Sequence, residues 1–103
     1  MRYLRLPRKW KLANHTQIIM VSEFSVLLRE VEIKQFPLNM GFYSTERRLE
    51  RAHVKKIRNR KNTYPYPIIV KFGTQYFIRD GHHRIYSALC RGQKTIKVRY
   101  YEI

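Results

Sequence analysis

Apolar and polar residues alternate most cleanly near the end of the chain, where Ile96, Val98 and Tyr100 interleave with Lys97, Arg99 and Tyr101. A period of two sends successive side chains to opposite faces, so this stretch reads as a half-buried last strand. Ile68-Ile69-Val70 is a short apolar run of the kind a central strand carries. Gly73-Thr74 fits a two-residue turn that would pair Ile68–Phe72 with Gln75–Arg79. Tyr76, Phe77 and Ile78 have strand character. After the Asp80-Gly81 corner the period changes. Ile85, Ala88 and Leu89 recur at helical spacing, and Gly92 stands where a helix end favours a left-handed residue.

Upstream the pattern is weaker. Val31 and Ile33 share one face, and Glu32 and Lys34 the other, of a strand ended by Pro37; Asn39, Gly41 and Ser44 then mark a loop. Thr45 suits the cap of a helix running to about Lys61, with Leu49, Ala52, His53 and Ile57 as a narrow inward stripe and His53 read as a packed residue. The prolines at 65 and 67 bias residues 62–67 toward extended or turned backbone. Ser22–Arg29 reads as a short helix capped by Ser22, or as strand, and His15 is isolated. Residues 1–12 interleave Arg2, Arg5, Arg8, Lys9 and Lys11 with Tyr3, Leu4, Leu6, Trp10 and Leu12. This is the pattern of an edge strand with its charges in water, or of an arm that tracks a nucleic-acid backbone. Mixed strands and helices in this order predict an α+β fold, a small mixed sheet with two or three helices.

Length and charge narrow the function. The 103 residues suit one domain, with residues 1–30 as an N-terminal extension to a core at 31–103. Lys and Arg total 22 against 7 acidic residues, a net charge of +15. That excess favours a polyanionic partner such as nucleic acid. It concentrates on the predicted second helix, where Arg47, Arg48, Arg51, Lys55, Lys56, Arg58, Arg60 and Lys61 stand against Glu46 and Glu50. Cys90 is the only cysteine, so an intrachain disulfide and a cysteine zinc cluster are excluded; its place beside Leu89 reads as a small packed residue. No apolar run is long enough for a signal peptide or a membrane span. The expectation is a soluble protein in the cytoplasm of a bacterial, archaeal or phage-infected cell, with no membrane partner.

The candidate chemistry lies at Asp80-Gly81-His82-His83-Arg84. The first turn of a helix presents unpaired N–H groups and the positive end of the helix dipole. Gly81 would let the backbone approach a ligand, and His82, His83 and Arg84 add side-chain donors, which together suit a phosphate. Asp80 is the only aspartate in the chain. It reads as a helix cap, as a general base or as a ligand to a divalent metal.

The order strand, helix, Pro67-Ile68-Ile69-Val70, hairpin, Asp80-Gly81-His82-His83-Arg84, then Ala88, Gly92 and Ile96 resembles the ParB/sulfiredoxin superfamily, in particular its ParB-like N-terminal, or ParB-like nuclease, domain. The resemblance spans about Val31 to Arg99. It implies that Gly81, His82, His83 and Arg84 cradle a nucleotide phosphate. Sulfiredoxins carry their catalytic cysteine where this chain has His82, which speaks against sulfinate reduction. Partitioning ParB proteins have a glutamate and arginines in the box, where His82 and His83 precede Arg84 here, and their helix-turn-helix domain has no counterpart. The Asp80–His82 run also resembles the ADP-dependent free-serine kinases, which implies a phosphoryl-transfer role for both residues.

Three functions follow as expectations. The first is nucleic-acid or nucleotide-phosphate binding with little sequence preference. The second is a metal- or His-dependent nuclease, NTPase or phosphotransferase, with Asp80 as base or ligand, His82 or His83 as acid or base, Arg84 stabilising the transferring phosphate, and a nucleotide with Mg²⁺ or Mn²⁺ as cofactor. Glu30 or Glu32 would be the further carboxylate. The third is a grip on an acidic protein partner.

Overall fold

The computed structural model describes residues 2–27, 32–58 and 66–103. In chain order the elements are β1 (Tyr3–Leu4), β2 (Lys11–Leu12), α1 (His15–Leu27), β3 (Glu32–Pro37), β4 (Tyr43–Ser44), β5 (Leu49–Glu50), α2 (Arg51–Arg58), β6 (Ile68–Phe72), β7 (Gln75–Asp80), α3 (His82–Cys90) and β8 (Thr95–Glu102). The molecule is a small α+β fold.

One mixed six-stranded sheet runs β2-β4-β7-β6-β8-β3, and β1 and β5 form a separate two-stranded sheet. The hairpin pairs Phe72 with Gln75 across Gly73, whose φ of 63° supplies the left-handed residue the tight turn needs. β8 lies parallel to β6 and antiparallel to β3. Its alternation divides as predicted, with Ile96, Val98 and Tyr100 buried.

The two faces of the sheet carry separate cores. On one, Ile85 and Ala88 of α3 pack with Ile69, Ile78, Val98, Phe36 and Phe42. On the other, Ile18 and Val21 of α1 join Ile68, Val70 and Phe77. The apolar run at 68–70 is continuous because β6 is central and both of its faces are covered. Pro67 precedes it, buried against Gly81.

Several elements differ from the sequence reading. α1 starts at His15 and is not capped by Ser22. Asn14 accepts the Gln17 N–H at 2.8 Å while Gln17 accepts the Asn14 N–H at 2.9 Å, a reciprocal cap eight residues upstream of the expected one. Ser44 is a buried residue of β4 and not part of a loop. Thr45 does not cap α2, which begins at Arg51 after β5. The inward α2 residues are Val54 and Ile57, with Leu49 buried in β5, whereas Ala52 and His53 are exposed. Ile33 is 59% exposed, and the inward face of β3 is that of Lys34 and Phe36. Cys90 is exposed on the last turn of α3. Val31, Glu30, residues 59–65 and the expected end of the second helix lie outside the described residues.

Candidate phosphate site and basic groove

α3 begins at Gly81, whose φ of 85° lies in the left-handed region, and the first intrahelical bond runs from the Ile85 N–H to the Gly81 carbonyl. The amides of residues 82–84 therefore precede the intrahelical ladder. A side chain at Gly81 is excluded twice over. An L-residue is strained at that φ, and its Cβ would lie 2.7 Å from Pro67 Cβ. The close approach that Gly81 permits is thus to Pro67, at the turn from β7 into α3.

His82 is buried, with 1% exposure. Its Nε2 accepts the Thr45 N–H at 3.2 Å, while the Thr45 hydroxyl donates to the Ile78 carbonyl at 2.9 Å. An imidazole that accepts at Nε2 carries its proton at Nδ1. That Nδ1 has no hydrogen-bond partner, and the Glu46 carboxylate stands 3.7 Å away. Burial, with His83 adding to it, lowers the His82 pKa from 6.5 to about 4, and Asp80 and the Ile78 carbonyl offset the fall only in part. His82 is therefore neutral near pH 7, and its contact with Glu46 is a neutral imidazole beside a carboxylate rather than an ion pair. Of the three side-chain donors expected to open the helix, His82 thus brings no positive charge near pH 7.

His83 repeats the arrangement. Its Nε2 accepts the Glu50 N–H at 2.9 Å, and its ring stacks on His53 with centroids 4.3 Å apart and planes 8° apart. Its pKa is lowered by burial, then by His53, with Glu50 opposing and Arg84 adding to the fall. Both histidines thus spend Nε2 on a backbone amide of segment 45–50. They fasten that segment to α3, and neither Nε2 is available to a substrate in this arrangement. His53, expected in the core, is instead an exposed residue that covers the His83 ring.

Asp80 makes no cap bond to the helix. Its side chain is 54% exposed, and Oδ2 lies 3.9 Å from Arg84 Nη2 and 3.9 Å from Arg99 Nη2. Arg84 is partly buried, which lowers its pKa, with Asp80 opposing. A guanidinium remains charged through such a shift. Burial raises the Glu46 pKa, and Asp80 and Glu50 add to the rise against His53.

These groups line an open cleft of about 510 Å³, large enough for a nucleotide-sized guest. The box residues Asp80–Arg84 are joined there by Glu46, Arg47, Arg48, Glu50, His53, Ile57 and Tyr3. Three guanidiniums face three carboxylates. Glu46 and Glu50 read in the sequence only as acids complementing a helix dipole, and no local pattern marks them as neighbours of Asp80. Glu32, the expected extra carboxylate, is on edge strand β3 and does not line the cleft. Among the described residues no group of three or more His, Cys, Asp or Glu is placed to hold a metal ion, so Asp80 lacks companions as a ligand.

A second cleft of about 480 Å³ adjoins the first and shares Tyr3 and Arg48 with it. Its other lining residues are Arg2, Leu4, Arg5 and Arg51, with no acid. The β1–β5 pairing builds it: Tyr3 opposes Glu50, Leu4 opposes Leu49, and the Arg51 N–H donates to the Arg2 carbonyl at 2.9 Å. The arm and the start of α2, basic for no evident local reason, meet here. Lys55 and Lys56 are exposed on α2 and line neither cleft, and the Arg58 side chain, Arg60 and Lys61 lie outside the described residues. Among the described residues no helix is long and apolar enough to cross a membrane. Comparison with family models, with curated proteins and with solved structures found no match to this chain.

Proposed function

We propose that this protein is a nucleic-acid-binding domain of ParB/sulfiredoxin type that seats a phosphate at the start of α3. Arg84 and the amides of residues 82–84 are the anion receptor, and Gly81 shapes it. The basic groove beside it carries the neighbouring phosphates. The observation that supports this reading most is that the two clefts share Tyr3 and Arg48, so that a cleft lined by Arg2, Arg5, Arg48 and Arg51 adjoins the one at the helix N-terminus. Contacts of this kind go to the backbone and carry little sequence information. A nucleotide with Mg²⁺ or Mn²⁺ is the small-molecule form of the same ligand.

A second reading has its own observation. The buried His82 Nδ1–H, without a hydrogen-bond partner and 3.7 Å from a Glu46 carboxyl of raised pKa, is a proton-holding pair beside Asp80. That pair suits a nuclease or phosphotransferase in which Asp80 or Glu46 takes the proton of the attacking hydroxyl. The histidines would then position the catalytic segment rather than meet substrate through Nε2.

Binding across a salt series tests the first reading. Log affinity for nucleic acid should fall by roughly 0.9 log units per phosphate contact for each log unit of salt. Arg84→Ala should lower both the affinity and that slope. Affinity that ignores salt would reject it.

A further inference from the structure

Resting on that nucleic-acid reading, we infer that the preferred partner is a single strand, with a base stacked on Tyr3 between phosphates held in the two clefts. Tyr3 is 44% exposed, though most large apolar side chains near it are buried. It is also the one aromatic residue lining both clefts. The Arg48 guanidinium lies 4.7 Å over its ring, a contact that brings a cation against one face of it. Arg2, Arg5 and Arg51 complete a groove wall of arginines without a carboxylate.

The geometry selects against a duplex. Paired bases are stacked on one another inside the helix, and only phosphates and groove edges reach a protein surface. An aromatic ring with a guanidinium on one face meets a base face only when the strand is unpaired. The β1–β5 pairing fixes the ring by its backbone, with Tyr3 opposite Glu50, so it is presented and not merely tethered.

The test is fluorescence anisotropy of the whole chain with labelled single-stranded DNA and RNA of about 12 nucleotides and with the matched duplexes, compared at each step of one salt series. The single strands should bind about tenfold more tightly than the duplexes, and Tyr3→Ala should remove about that factor from the single strands while leaving duplex affinity nearly unchanged. Tyr3→Trp should restore single-strand binding. If Tyr3→Ala does not fold, Tyr3→Leu carries the same expectation, and Lys97→Ala is the charge control that leaves the preference intact. Salt-dependent binding of equal strength to strand and duplex would overturn the inference and leave the nucleic-acid reading standing. The absence of salt-dependent binding to any of the four would remove both. A polyglutamate peptide that displaces the strand at equal concentration would also overturn the inference, in favour of an acidic protein partner.

Discussion

At the scale of the residue, His82 decides most. It is neutral because it is buried, and it is buried because Thr45 and Ile78 are folded over it. An unfolded His82 takes a proton below about 6.5, whereas the folded one takes it only near 4. Between those values the unfolded state binds more protons, so stability rises with pH in that window. The protein should lose on the order of 3 kcal/mol as the pH falls from 7 to 4, with the lowered His83 adding in the same direction. A pH series of denaturant melts measures this. His82→Gln, which keeps an acceptor for the Thr45 N–H and does not titrate, should flatten the profile. Gly81 gives the second test at this scale. Gly81→Ala meets both the positive φ and Pro67, and a loss of about 2 kcal/mol or more is expected in the melting curve.

At the scale of the element, the readable parts were those with one dominant period. The hairpin, α3 and β8 declare themselves through alternation, a turn glycine or helical spacing, because each buries one well-defined face. α1 does not, since its apolar residues are spread around the helix, with Ile19 exposed while Val21 is buried. Its strongest local mark is the cap Asn14–Gln17. Asn14→Ala should cost about 1 kcal/mol in a thermal melt. The expected helix from Thr45 fails for a physical reason. Tertiary bonds to Ile78, His82 and His83 hold segment 45–50 as a bend that leads into β5, and they outweigh the propensity of Glu46, Arg47 and Arg48 for helix.

At the scale of the whole molecule, the charge of +15 works in two directions. It repels itself in the folded state and attracts polyanions. Raising salt should therefore raise the melting temperature of the protein alone while weakening its hold on nucleic acid. The box Asp80–Arg84 and the excess of arginine were both legible in the chain, because one is a local turn and the other a matter of counting. Their joining was not legible. Tyr3 and Arg48 are far apart in sequence, and only the two-residue strand pair β1–β5 sets them together. The carboxylates of Glu46 and Glu50 came to the cleft by the same route, through contacts that carry no sequence signal.

The sequence alone determined the alternating strands, the hairpin, the glycine corner before α3 and the surplus of positive charge, since each follows from neighbours within a few residues. Tertiary structure decided the neutrality of His82, the lowered pKa of His83, the non-helical course of residues 45–50 and the union of arm, α2 and α3 around one cleft. Those depend on burial and on hydrogen bonds between residues more than thirty positions apart, and such partners exist only once the chain has closed on itself.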